Sequence, residues 1–111
     1  MVHLAYARRA GLDAVVLEAQ DGPGGLWRRL PAWQDLQIAP ADWALGDVGL
    51  DAPFQPQVLA NVQGWIDRFG LADGIRHASP VLRARHDGSH WQLATAQGPV
   101  PVSYFIKRVP A

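Results

Sequence analysis

The clearest periodic pattern in the chain lies in residues 56–70. Apolar side chains recur there at intervals of three and four residues, which places them on one stripe of a helix: Val58, Leu59, Val62, Trp65, Ile66 and Phe69. Pro56 suits the first helical position and Gly70 suits the stop. Gly64 lies inside the pattern and lowers the stability of the helix by ~1 kcal/mol relative to alanine. The pattern predicts an amphipathic helix over residues 56–70.

A second helix and a strand are indicated at the start of the chain. Residues 2–10 are rich in alanine and end in arginines, which favour the last turn of a helix, and Gly11 fits the stop. A short apolar run then ends on Glu18 and is typical of a buried parallel strand beginning at about Ala14. Helix, tight turn and apolar strand form the second half of a βαβ unit.

The apolar period changes to two from Ile75 onward. Residues 81–86 and 91–96 alternate on either side of an Asp87-Gly88 turn, which is a strong hairpin signal. A third alternating run extends from Val100 to Ile106. These residues predict a three-strand antiparallel meander.

Residues 19–55 form a long irregular stretch, and its first part follows Glu18 directly with Gly22, Gly24 and Gly25. Long loops in small domains are usually functional or disordered, and the tryptophans of this one argue against disorder. An acid at the carboxyl end of a parallel strand is where open α/β sheets hold a ribose hydroxyl. The stretch is therefore a candidate nucleotide site.

Composition narrows the function classes. With 111 residues the chain is one domain at most, and its ten basic and ten acidic side chains leave no net field to recruit nucleic acid or anionic membrane. No apolar run reaches the ~20 residues of a membrane span and no signal peptide is visible, so we expect a cytoplasmic protein. Cysteine is absent, and the histidines lack metal-ligand spacing. Neither a metal site nor a catalytic residue is predicted.

Four segments resemble the FAD-binding N-terminal part of the flavin-containing monooxygenases and the Baeyer–Villiger-like enzymes, which are FAD- and NAD(P)-dependent oxidoreductases. The resemblance runs from about residue 2 to 106, and the segments that carry it are Arg9–Glu18, Gly24–Arg28, Ile66–Leu71 and Trp91–Leu93. It implies an α/β fold, a partial Rossmann-like FAD-binding domain of the three-layer type that lacks its first strand and carries the meander. Residues 1–106 would form this partial domain, and residues 107–111 a tail outside the family pattern.

The resemblance also implies cofactor-binding roles near the glycines. Glu18 would bind the adenosine ribose of FAD, and a carboxylate can accept from both ribose hydroxyls. Gly24 and Gly25 would let the backbone approach the pyrophosphate, because glycine has no Cβ. Trp27 and Arg28 would flank the cofactor, the second as a charge partner for phosphate.

Two further cofactor-binding residues follow from the same resemblance. Gln37 belongs to the stretch that approaches the flavin ring in the family. Val81 falls where the family contacts adenine through backbone atoms.

Two family features are not found in these residues. The G-x-G-x-x-G turn, expected about 20 residues before Glu18, would fall before Met1, and the NADPH-binding domain is missing. We therefore expect a piece of a monooxygenase truncated at both ends, with weak or no FAD binding, marginal stability and no activity alone. The parent enzyme would use FAD and NADPH to transfer one oxygen atom to a small organic substrate.

Three alternatives remain open from the sequence. The chain could be a split subunit that pairs with a complementary chain supplying the glycine turn. It could be a non-catalytic interaction module built on the same fold. It could also belong to another two-dinucleotide flavoprotein reductase, although the absence of cysteine argues against the disulfide-using reductases.

Overall fold

The computed structural model describes residues 1–37 and 39–106, which contain two α-helices and five strands. In chain order these are α1 (Val2–Arg9), β1 (Val16–Leu17), α2 (Gln55–Phe69), β2 (Ile75–Arg76), β3 (Val81–His86), β4 (Trp91–Thr95) and β5 (Gly98–Val102). Strands β1 and β2 pair in parallel, and β3, β4 and β5 form an antiparallel sheet. The predicted α/β fold with a meander is confirmed. The predicted tail at 107–111 lies outside the described residues, and no described helix is long and apolar enough to cross a bilayer.

Helix α1 ends as the sequence predicts, but β1 is shorter than expected. Gly11 has a φ of 78°, and the Leu12 N–H donates back to the Ala7 carbonyl at 2.9 Å, so the chain turns sharply after the helix. The strand begins at Val16 rather than at Ala14, because its pairing with β2 starts with Val16 opposite Ile75.

Helix α2 matches its predicted bounds to within one residue. Gly70 follows it with a φ of 61°, and the Leu71 N–H donates to the Ile66 carbonyl at 2.9 Å. A Cβ at Gly64 would lie 3.3 Å from Val48 Cγ1. The glycine inside the helix therefore lets the loop that carries Val48 approach α2 closely.

The core joins both helices to the parallel strands. One buried cluster contains Leu4 of α1, Ile66 of α2, Ile75 of β2 and Leu71, which lies between α2 and β2. Val16 of β1 packs against this cluster. Because these residues come from four elements, the position of β1 depends on the packing of α1 and α2.

Strand β2 is the element that the sequence does not predict as a separate strand. It contains two residues, which is too short to display a period. Leu17 lies opposite Arg76, and the Glu18 N–H donates to the Arg76 carbonyl at 2.9 Å. Glu18 thus lies at the carboxyl end of a paired parallel strand.

The meander confirms the predicted hairpin, but the predicted position of its third strand is wrong. Strand β5 runs over Gly98–Val102, not Val100 to Ile106, since the chain already reverses after Thr95, which pairs with Gly98. Pro99 and Pro101 lie opposite Ala94 and Gln92 of β4, on an edge strand, where proline is tolerated when its missing N–H would face away from the ladder. Proline within this strand is therefore compatible with the ladder.

Asp87 organises the turn between β3 and β4. Its Oδ1 accepts from the N–H groups of Ser89 at 2.9 Å and His90 at 2.8 Å, and its Oδ2 accepts from Gln92 Nε2 at 3.0 Å. These hydrogen bonds hold the pKa of the Asp87 carboxyl far below its ordinary value of 3.8. The His90 N–H has the largest effect, followed by the Ser89 N–H and the Gln92 amide.

The Asp87→Asn substitution should make the stability of the protein less dependent on pH in the acidic range. A carboxyl whose pKa is depressed by folding stabilises the fold above its unfolded value of 3.8, and this contribution disappears as the pH falls through the folded pKa. We expect the difference in melting temperature between wild type and Asp87→Asn to be largest near neutral pH and to shrink below pH ~3. Asp13→Asn, which changes an exposed carboxylate before β1, is the control. A difference that stays constant down to pH ~2 would contradict this role.

Candidate functional site

Glu18 is half-buried, and hydrogen bonds hold its backbone and its side chain. Its N–H donates to Arg76, and its carbonyl accepts from the Ser79 N–H at 2.8 Å. Its Oε1 accepts from the Gln20 N–H at 3.0 Å. The carboxylate is therefore held at the end of β1 by a residue of the following loop.

Gln20 connects the strand end to the glycine-rich loop. Its carbonyl accepts from the Ala78 N–H at 2.7 Å, and its Nε2 donates to the Gly25 carbonyl at 3.0 Å. Gln20 thereby brings Glu18, Gly25 and the segment before β3 to one place. The sequence does not indicate a role for this residue, because a single glutamine in a loop belongs to no motif.

Gly24 and Gly25 have left-handed φ angles but different surroundings. Gly24 has a φ of 118°, and a Cβ there would lie 2.4 Å from Leu59 Cδ2 of α2. Gly25 has a φ of 54°, and nothing lies within 4 Å of a Cβ there. Gly24 is thus required for packing against the helix, whereas the space beside Gly25 is open.

Trp27 is attached to the start of α2. It lies in a 3-10 helix over Gly25–Arg29 that packs on α2, and its carbonyl accepts from Gln55 Nε2 at 2.9 Å. This bond to the Trp27 backbone holds the residue at the end of the glycine-rich loop, and its indole is half-buried.

Gln37 lies on an exposed segment that also leads to α2. The Leu36 N–H donates to the Pro53 carbonyl at 2.7 Å, and the Gln55 N–H donates to the Gln34 carbonyl at 2.9 Å. These bonds place Gln37 and Trp27 beside the same helix start. Gln37 Nε2 donates to Asp35 Oδ1 at 2.7 Å.

Arg28 is held by its own loop. Its Nη2 donates to Asp21 Oδ1 at 2.8 Å, and its Nη1 donates to the Pro23 carbonyl at 3.4 Å. The guanidinium therefore already has a carboxylate partner, and its predicted role toward phosphate would require it to exchange that partner.

Val81 is the first residue of β3, two positions after Ser79, which contacts Glu18 through backbone atoms. The structure therefore brings Glu18, Gly25 and the start of β3 together. Among residues 1–37 and 39–106, no group of three histidine, aspartate or glutamate side chains is placed to hold a metal ion.

Solved structures that resemble this chain include a steroid monooxygenase and a flavin-containing monooxygenase. An oxidized steroid monooxygenase bound to NADP aligns with 91% of this chain, at 25% sequence identity and a TM-score of 0.77. A flavin-containing monooxygenase from Stenotrophomonas maltophilia aligns with 86% of it, at 27% identity and a TM-score of 0.66. The fold is that of part of a flavin monooxygenase.

The flavin-monooxygenase fold extends to reductases. The bacillithiol disulfide reductase Bdr (YpdA) from Staphylococcus aureus aligns with 88% of the chain at a TM-score of 0.76, but at 17% identity, which shows the fold alone. This chain spans 22% of the steroid monooxygenase, 30% of the flavin-containing monooxygenase and 32% of the reductase. No protein-family model matches the chain, and a search of curated protein sequences finds no match.

The Glu18 carboxylate at the end of β1 keeps one oxygen that can accept further hydrogen bonds. Oε1 of Glu18 is held by Gln20, while Oε2 forms no hydrogen bond within the part of the chain that the structure describes. A carboxylate with a free oxygen, beside the open space at Gly25, can accept from hydroxyl donors. Arg28 fits less well because Asp21 already binds it.

Proposed function

We propose that this chain supplies the part of an FAD-dependent, NAD(P)H-using monooxygenase that holds the adenosine ribose of FAD. The observation that carries the proposal is the Glu18 carboxylate, fixed at the carboxyl end of β1 by the Gln20 N–H at 3.0 Å. Open α/β sheets bind nucleotides at this end of their strands. The similarity to a steroid monooxygenase bound to NADP supports the oxidoreductase class.

The protein's part in this function is binding and orientation. FAD, when bound, supplies the redox chemistry and the reaction with oxygen. Glu18 would accept from the ribose hydroxyls, and Gly25 would leave room for the pyrophosphate. The backbone at Val81 would contact adenine, while Trp27 and Gln37 would lie on the side toward the flavin. No catalytic residue is assigned in this division of roles.

We further propose that these 111 residues alone bind FAD weakly and do not catalyse oxygenation. Parallel sheets are normally buried on both faces and contain several strands. Among the described residues β1 has one partner strand, β2, so the site would gain rigidity from a complementary chain or segment that extends this sheet.

A second candidate is another flavoprotein oxidoreductase of the reductase type. The likeness to the bacillithiol disulfide reductase in fold favours it. The absence of cysteine speaks against a disulfide-using enzyme only for these 111 residues.

Binding of adenosine diphosphate to the full chain tests the ribose role of Glu18. We expect ADP to bind with a dissociation constant on the order of 1 mM, and 2′,3′-dideoxy-ADP to bind about tenfold more weakly, because hydroxyl bonds to a charged acceptor contribute about 1.5–3 kcal/mol. In Glu18→Gln the two ligands should bind with similar affinity. Tryptophan fluorescence and amide chemical shifts measure the dissociation constants of both ligands.

Asp13→Asn is the matched control, because it removes an exposed carboxylate that precedes the same strand, on the side away from Glu18. It should keep the wild-type preference for ADP over the dideoxy ligand. The ribose proposal is wrong if the wild-type chain binds both ligands equally, or if ADP at ~10 mM gives no saturable response.

A further inference from the structure

A cavity of about 430 Å³ lies between α1, the end of α2 and the loop that contains Leu45 and Gly46. Leu45 and Leu71, which are both buried, form part of its lining. This volume is within the range of sites that hold small organic molecules, which are mostly apolar and contain a few polar groups. The cavity shares no residue with Glu18, Gln20 or the glycine-rich loop, so it is independent of the proposed ribose site.

Two aromatic side chains line the cavity from different elements. Tyr6 of α1 is 57% exposed, and Phe69 at the end of α2 is 36% exposed. Neither ring contacts another aromatic ring of the described residues. The Tyr6 hydroxyl also forms no hydrogen bond within residues 1–37 and 39–106. The two exposed rings beside buried leucines offer an apolar surface that an aromatic ligand can cover.

Phe69 is held in position at the wall of the cavity. Gly46 has a φ of 61°, and a Cβ there would lie 2.8 Å from Phe69 Cζ, so the ring lies against a part of the loop that has no side chain. The Arg68 guanidinium lies over the Phe69 ring, 5.6 Å from its centroid, and pairs with Asp47 at 3.1 Å. This wall is therefore formed before any ligand arrives, which lowers the entropy cost of binding.

Two arginines line the cavity, and one of them is already paired. Arg8 Nη1 lies 2.8 Å from Asp73 Oδ1 and donates to the Gly70 carbonyl at 2.8 Å. Arg9 is exposed, and its side chain forms no ion pair or hydrogen bond with any residue that the structure describes. The described lining contains no acidic residue. The Arg9 guanidinium can therefore pair with an anion, and its planar donors match a carboxylate.

The helix ends beside the cavity do not cancel this charge. The C-terminal dipoles of α1 and α2 alone would favour a cation. Their last carbonyls are already bound, however. The Leu12 N–H donates to the Ala7 carbonyl at 2.9 Å, and the Leu71 N–H caps α2 in the same way. A helix end carries about half an elementary charge, whereas Arg9 carries a full charge and can contact a carboxylate directly.

We propose that this cavity binds a small aromatic carboxylate. The aromatic ring would pack against Tyr6 and Phe69 over the buried Leu71, and the carboxylate would accept hydrogen bonds from the Arg9 guanidinium. The Tyr6 hydroxyl would supply a further donor at the rim. The aromatic walls, the buried floor and the unpaired guanidinium each match one part of this ligand.

Titration of the ¹⁵N-labelled full chain with indole-3-acetate tests the proposal. Tryptophol is the neutral ligand of similar size and tryptamine is the cationic one. We expect the Tyr6, Gly46 and Leu71 amide resonances to shift together with a dissociation constant on the order of 1 mM for indole-3-acetate. Tryptophol should bind about fivefold more weakly and tryptamine more weakly still, because only the carboxylate pairs with Arg9. The Gln20 and Gly25 amides should not move, which separates this site from the ribose site.

Three variants identify the groups that bind. Arg9→Gln should remove the preference for indole-3-acetate over tryptophol, and Tyr6→Ala should weaken the binding of both ligands about fivefold or more. Both side chains are exposed, so neither substitution removes a core residue. Arg83→Gln removes an exposed arginine of β3 outside the cavity and should keep the wild-type preference. The proposal is overturned if tryptamine binds as tightly as indole-3-acetate, if Arg9→Gln keeps the preference, if Arg83→Gln loses it equally, or if ~10 mM indole-3-acetate gives no saturable shift.

Discussion

The Leu71→Ala variant is expected to lose a large fraction of the stability of the fold. Leu71 is 1% exposed and packs with Leu4, Ile66 and Ile75 in the cluster that joins both helices to the parallel strands. Truncation of a buried leucine costs about 2–5 kcal/mol, because the lost contacts leave a cavity. Domains of this size are stable by only about 5–15 kcal/mol, so the loss is a large fraction of the total.

Urea unfolding followed by far-UV circular dichroism measures this effect. Leu82→Ala is the matched control, because Leu82 is 70% exposed on β3 and its truncation should change stability by less than about 0.5 kcal/mol. If the two variants unfold at the same urea concentration, the cluster around Leu71 does not hold the fold together. The position of Glu18 would then need another explanation, since β1 is held by the same cluster.

Gly24→Ala should be the second most damaging of these substitutions. At a φ of 118° an L-residue is strained, and the added methyl would lie 2.4 Å from Leu59 Cδ2. Backbone strain together with displacement of Leu59 should lower the free energy of unfolding by about 2–3 kcal/mol. Chemical denaturation of the variant measures this loss.

Gly25→Ala is the matched comparison, because it adds the same methyl one residue later. Its φ of 54° is left-handed, but nothing lies within 4 Å of the new Cβ, so the expected stability loss is only ~1 kcal/mol. If Gly25 faces the nucleotide, this variant should weaken ADP binding more than its stability loss explains. A larger stability loss for Gly25→Ala than for Gly24→Ala would contradict the assigned roles.

The sequence predicts those parts of the fold whose signals are local. The apolar stripe of α2, its stop at Gly70 and the Asp87 hairpin appear in the structure where the pattern places them. Period and turn chemistry depend on neighbours within a few residues, so they can be interpreted without tertiary contacts. The position of Glu18 after an apolar strand belongs to the same group.

The remaining features depend on contacts between distant residues. β2 has only two residues, and it becomes a strand because Ile75 lies beside Val16, nearly 60 residues earlier. The role of Gly24 depends on Leu59, and the partner of Arg28 depends on how the loop folds back onto Asp21. The role of Gln20 cannot be predicted from the sequence, because it depends on the hydrogen bond from its side chain to the Gly25 carbonyl.

The backbone amide of Gln20 offers the most direct test of the ribose site, because its N–H donates to the Glu18 carboxylate at 3.0 Å. In a ¹⁵N-labelled chain titrated with ADP, the Gln20 and Gly25 amide resonances should shift together and saturate at one ligand concentration. The amides of the distant turn at Asp87 should not move. Shifts confined to residues away from the end of β1, with Gln20 unchanged at saturating ADP, would contradict the account.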